Sequence, residues 1–154
     1  MDNNLTLENI DSIDFAIYLN EKANQLGLDV NMTKIQKWLY VCYGIYLSRS
    51  KKQLFNERPK AWDYGPVFPN VYSTQKRNND SLNSLPYTNT RFEQLDDIIM
   101  ITLNTFGEWS AGQLVGWTHQ DNLAWDKKIK SGEKYSSLDN LDILLDFETY
   151  SNSI

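Results

Sequence analysis

The stretch from Thr33 to Pro69 constrains the fold of this chain more than any other. In its first part Ile35, Leu39, Cys42 and Tyr46 recur at helical spacing, and Trp38, Val41 and Ile45 widen the stripe. A helix apolar around so much of its girth must be enclosed, so the rest of the chain has to be arranged about it. Thr33 followed by Gln36 matches a capping box and predicts a helix from Thr33 to about Ser50. Beyond it, Leu54-Phe55 and Lys60 to Tyr64 read as two short extended pieces that could pair as a small hairpin. Gly65-Pro66 reads as a turn: glycine permits positive φ, and proline biases its predecessor away from helical angles. Pro69 suits the first turn of a new helix, where its missing N–H costs nothing.

A later block belongs with these two: Ser110-Ala111-Gly112-Gln113-Leu114, then Thr118-His119 and Trp125. Together the three blocks resemble the Panacea domain, the SocA-like (GepA-like, prophage-associated) antitoxin family. That family shows T-x-L-Q-K-L-L-Y, then A-W-x-Y-G-P-V-x-P-x-V-Y, then S-x-x-x-L…T-H…P-W. The first pattern is met by Thr33, Ile35, Gln36, Lys37, Trp38, Leu39 and Tyr40. The second is met by Ala61, Trp62, Tyr64, Gly65, Pro66, Val67, Pro69, Val71 and Tyr72. Trp38 stands where the family usually carries an aliphatic residue, and Ala124 where it usually has proline. The resemblance implies an antitoxin that neutralises a cognate protein toxin by direct binding. It leaves open a proteolytic adaptor that delivers the toxin to a protease.

The chain has 154 residues, 41% of them hydrophobic, with five tryptophans. This fits one domain over residues 1–154 with a substantial core, residues 1–11 and the C-terminal tip being loose. With that length taken up by the one domain, an attached DNA-binding module is not expected. No apolar run approaches the roughly 20 residues of a membrane span. The start lacks a basic segment and an apolar core, so no secretory signal is expected and the protein is placed in the cytoplasm. Cys42 is the only cysteine and lies on the apolar stripe, which fits a buried structural thiol. The net charge is −5, so free nucleic acid is a poor partner, since its binding rests largely on phosphate neutralisation. Arg49, Lys51 and Lys52, and then Lys127, Lys128 and Lys130, read as solvated helix ends.

The other elements follow from periodicity. Ser12 caps a helix carrying Ile13, Ala16, Ile17 and Ala23 and ending at Gly27, and a short helix runs from Pro69 to about Lys76. Asn78 to Asn89 is a surface loop. Thr90 with Glu93 opens a helix with Phe92, Leu95, Ile98, Ile99, Leu103 and Phe106 inward, stopped at Gly107. Ser110 with Gln113 opens another with Leu114 and Val115 inward, and Ser137 caps a last one with Leu138, Leu141, Leu144 and Leu145. The expected class is mainly α (α+β), a compact helical domain around a buried central helix with a small β-hairpin.

Catalytic apparatus is sparse. His119 is the only histidine, so with one thiol a Cys/His metal cluster cannot form. It is expected to make a structural hydrogen bond beside Trp117 and Trp125. Neither a phosphate-binding loop nor a dinucleotide fingerprint occurs, so no cofactor is expected. The protein therefore reads as a binder and not an enzyme. An enzyme acting on a small ligand in an aromatic pocket stays as the alternative, favoured by a perturbed residue among convergent polar groups in a deep pocket. Trp62, Tyr64, Phe68 and Tyr72 bracket the Gly-Pro turn and are the candidate partner-binding residues, with Trp62 and Tyr64 expected on one strand face. Thr33, Gln36, Lys37, Tyr40, Gly65, Pro66, Pro69, His119 and Trp125 are assigned structural roles.

Overall fold

The computed structural model describes residues 7–89 and 91–150. Among these, α1 spans Ser12–Gln25, α2 Met32–Ser50, β1 Lys60–Trp62, β2 Gly65–Val67 and α3 Pro69–Arg77. A 3₁₀ turn at Phe92–Leu95 leads into α4 (Asp96–Phe106), followed by α5 (Ala111–Thr118), α6 (Ala124–Lys130) and α7 (Asn140–Asp146). The fold is compact and mainly α, with one two-stranded antiparallel sheet. None of the described helices is long and apolar enough to cross a membrane.

The central helix is the one expected. Every residue of α2 from Lys34 to Ser48 is buried, and α1, α3, α4, α5, α7 and β2 all pack against it. Its C-terminal part sits in a dry core. Trp38 is fully enclosed with its indole N–H on the Phe106 carbonyl at 3.2 Å. Cys42 is buried against Thr102, and burial pushes its thiol up to about 12. The α7 segment closes over α2 through Phe147, whose ring lies so near Gly44 that a Cβ there would fall 2.2 Å from it.

Several caps differ from expectation because a neighbouring side chain reaches the helix start first. Asn31, not Thr33, caps α2, accepting from the Lys34 N–H at 2.9 Å. Asp11, not Ser12, caps α1, which leaves the Ser12 hydroxyl free to bond Glu57. The α7 N-cap position is Asp139, not Ser137, so the apolar stripe shifts. Leu138, Ile143 and Phe147 point inward, while Leu141 and Leu145 are exposed. The capping box of Ser110 and Gln113 is present in full. The one assigned to Thr90 lies outside the described residues, as does the C-terminal tip. α6 had no counterpart in the periodicity.

Residues 7–11 are not loose. Leu7 is buried with its carbonyl accepting the Tyr46 hydroxyl, and Ile10 bridges Phe55 in parallel. Phe55 therefore pairs with the N-terminal segment instead of with residues 60–64. The 78–89 segment is a surface loop anchored at Leu82, which is buried, and by Thr88 and Asn89 N–H bonds to Asp14.

Candidate functional site

The hairpin is where the sequence blocks meet. β1 and β2 pair Lys60 with Val67, Ala61 with Pro66 and Trp62 with Gly65, so the turn is Asp63-Tyr64 and not Gly65-Pro66. Tyr64 therefore lies in the turn and not on the strand with Trp62, although both line one cleft. Gly65 instead opens β2 with φ +107°, a conformation side chains strain to adopt. A Cβ there would also lie 2.5 Å from the Thr118 hydroxyl and 2.9 Å from the Lys37 Cε. Residues 135–138 cover the outer edge of β1, with the Ala61 N–H on the Ser136 carbonyl and the Tyr135 N–H on the Ala61 carbonyl.

Polar side chains of α2 hold β2 from below. The Gln36 amide accepts from the Phe68 N–H at 2.8 Å and donates to the Phe68 carbonyl at 3.3 Å, imitating a strand neighbour. It also donates to Gln75, so one buried amide ties the hairpin exit to α3. Next to it, the Lys37 amine donates to the Pro66 carbonyl at 3.1 Å. Lys37 is 1% exposed, and burial lowers its amine from the ordinary 10.5 to about 7. No carboxylate among the described residues pairs with it.

The later block clasps the hairpin from the other side. The Trp125 indole N–H donates to the Trp62 carbonyl at 2.7 Å. The His119 ring lies flat on the Trp125 indole, 3.7 Å between centroids and 4° from parallel. The expected structural hydrogen bond is not what holds it: stacking does, and its buried Nε2 has no partner among the described residues. Burial, and next the Lys37 charge, lower the His119 pKa, against an opposing pull from Asp126.

Around this scaffold lies an aromatic cleft of about 430 Å³, lined among others by Trp62, Tyr64, Val67, Tyr72 and Tyr135, with Lys37 in its lining. Trp62 and Tyr72 are half-buried, their rings edge to face at 5.1 Å. Tyr64 is 73% exposed and Tyr135 54%. Phe68, expected to be available to a partner, is a core residue: it is fully buried, edge to face with Phe55 and tilted against Tyr43. As the residue before Pro69 it occupies the N-cap of α3, where Gln36 binds its backbone and turns its ring inward. Thr33 lines the cleft, Tyr40 is buried against Phe147, and Pro69 takes the first position of α3. Tyr135 was missed, because a polar stretch carries no periodicity to place it.

One of the two marks of a catalytic cleft, the perturbed amine, is present. Gln36 is committed to the Phe68 backbone, Asp63 pairs with Lys134 and Lys76 with Asp80, so these three polar groups of the cleft are already engaged. A larger groove runs between α1 and residues 82–87. It is lined by asparagines that bond one another, Asn20 and Asn24 both donating to Asn83.

The blocks that converge on the hairpin fall within one family pattern. Residues 35–126 match the model of the family described as Antitoxin SocA-like, Panacea domain. This chain belongs to that family. A curated relative, the Antitoxin SocA of Caulobacter vibrioides (strain NA1000 / CB15N), is 30% identical over 132 residues, 77% of this chain and 70% of the relative. No solved structure matches. Membership in the Panacea family implies a toxin as partner. The three blocks also share one physical role in this fold. Gln36, Lys37, Thr118 and Trp125 come from distant parts of the chain to fix one short hairpin.

Proposed function

We propose that this protein neutralises a cognate toxin in the cytoplasm by binding it directly, through the face around the hairpin cleft. The observation that carries the reading is the rigid display of Tyr64. It projects from a two-residue turn whose flanking backbone is pinned by Gln36, Lys37 and Trp125. Trp62, Tyr72 and Tyr135 surround it, and aromatic side chains held in place lose little entropy when a partner covers them. The acidic surface aids encounter with a basic toxin. Phe68 supports this face from within.

Co-expression with a candidate toxin taken from the neighbouring genes tests the reading, with growth, toxin pull-down and toxin level measured together. A folded Tyr64→Ala, Tyr135→Ala double variant is expected to lose both neutralisation and pull-down, while the wild type leaves the toxin level unchanged. Full neutralisation by the double variant would move the binding face elsewhere. A fall in toxin level that needs an intact protease would replace occupancy by delivery to degradation.

A further inference from the structure

Three charged side chains line the hairpin cleft, and only one lacks an opposite charge. Asp63 is paired with Lys134, and Lys76 with Asp80 at 2.9 Å. Lys37 has no carboxylate partner among the described residues, and its single acceptor, the Pro66 carbonyl, is neutral. An ammonium holds three donors, so two remain for something else. A charge removed from water without a counter-ion is costly to the fold, and an anion entering beside it relieves that cost. The same cleft is lined by Trp62, Val67 and Tyr72, which suit apolar groups and not a hydrated ion.

We propose that the cleft seats an acidic side chain of the partner protein, an Asp or Glu flanked by apolar residues, with its carboxylate on the Lys37 amine. This rests on the reading of the hairpin face as the toxin-binding face and names the chemistry recognised there. The carboxylate supplies the missing charge, and the aromatic walls exclude water from the pair, which strengthens it. The neighbouring titratable groups are His119 behind the hairpin, Tyr72 and Lys76 of α3, Asp63 and Tyr64 of the turn, and Tyr135. Of these, Asp63 is the one carboxylate, and it is paired with Lys134, so no carboxylate lining the cleft is bonded to the amine.

The test uses the whole chain and two capped tripeptides, one with a central glutamate between leucines and the other with glutamine in its place. The only carboxylate is then the side chain. In NMR titrations the glutamate peptide is expected to shift the Trp62, Val67 and Tyr72 amides and to bind at least about tenfold tighter than the glutamine peptide. The preference should vanish in Lys37→Met. In the wild type it should fade as pH rises through about 7, where the free amine loses its proton, so the pH series decides even if the variant does not fold. Equal binding of the two peptides, a preference that survives in Lys37→Met, or shifts confined to another face would overturn the proposal. Pull-down with the toxin separates the two readings. If folded Lys37→Met still captures toxin as the wild type does, the carboxylate pairing fails while toxin binding stands. If the wild type captures no toxin yet keeps its glutamate preference, the toxin-binding reading fails while the carboxylate site stands.

Discussion

The two ends of α2 are both buried but built from opposite materials. From Trp38 to Leu47 the helix presents apolar and aromatic side chains, and its neighbours α4 and α7 answer with Leu103, Phe106 and Ile143, joined by Phe147 just beyond α7. Just before that stretch, Gln36 and Lys37 are as enclosed, yet polar. The two kinds of burial do different work. Apolar area supplies stability without direction, at about 25 cal/mol per Å². Buried amides and amines add little net stability but demand particular partners, so they dictate where a backbone must run. The C-terminal part of α2 thus makes the fold stable, and its start makes the hairpin unique.

The largest expected effect breaks the dry end. Trp38→Ala removes a fully enclosed ring and the indole bond to Phe106, and should cost on the order of 3–5 kcal/mol in urea unfolding. Loss of less than a third of that would mean the core collapses onto the gap and is softer than its packing suggests.

At the polar end the sign reverses. Lys37 is about 7 when folded against 10.5 when free, so between those values the unfolded chain binds more protons and stability rises with pH. Below about 7 the full penalty applies. Lys37→Met keeps the volume and removes the charge, so it should stabilise by a few kcal/mol, on the order of 2–4, at acidic to neutral pH. The gain should shrink as pH climbs toward 10.5, where the lysine is neutral in both states. The difference between variant and wild type isolates this group, since Cys42 and the buried tyrosines titrate in both. A gain that does not change with pH would show that the amine is solvated.

A smaller loss is expected from Gln36→Leu. The Phe68 N–H then loses its acceptor inside the protein, an unsatisfied group worth about 1–3 kcal/mol. Hydrogen exchange separates this from a general weakening, because the Phe68 amide should lose far more protection than those in the middle of α2.

The contrast between the two ends also marks what could be read in the sequence. The apolar stripe announces itself: Ile35, Leu39, Cys42 and Tyr46 fix the helix by period alone, and all are buried. Phe92 to Phe106 and the Ser110 box were legible for the same local reasons. An extended piece was expected over Lys60 to Tyr64, and β1 lies within it, but it was paired with the wrong neighbour, because strand partners are chosen by tertiary contacts that no local pattern encodes. Gly65 was read as a turn residue able to take positive φ, and it does take it, one residue beyond the true turn. Gln36 was read as a cap because its spacing from Thr33 fits one, whereas Asn31 sits where the cap forms and frees Gln36 to reach Phe68. The burial of Phe68 was hidden for that reason. Its orientation depends on a side chain 32 positions earlier. The uncompensated Lys37 was equally invisible, since nothing in a string of residues tells which lysine will find no carboxylate.

The smallest effect on stability carries the sharpest functional test. Tyr64 sits at the turn tip, 73% exposed, and the hairpin below it is held by groups that do not touch its ring. Tyr64→Ala should therefore change unfolding free energy by no more than about 0.5 kcal/mol, as for ordinary surface positions. If the ring anchors a toxin, the same change should weaken binding by about 2 kcal/mol, roughly thirtyfold, chiefly through faster dissociation. Gly65→Ala makes the matched control one residue away. Strain at φ +107° and the approach to Thr118 should cost about 1–3 kcal/mol of stability, while every aromatic side chain is kept. Binding kinetics of the two folded variants then divide the possibilities. Loss in Tyr64→Ala alone assigns the role to the ring. A larger loss in Gly65→Ala assigns it to the hairpin backbone, and the polar clamp of Gln36 and Lys37 becomes the part of the molecule that recognition depends on.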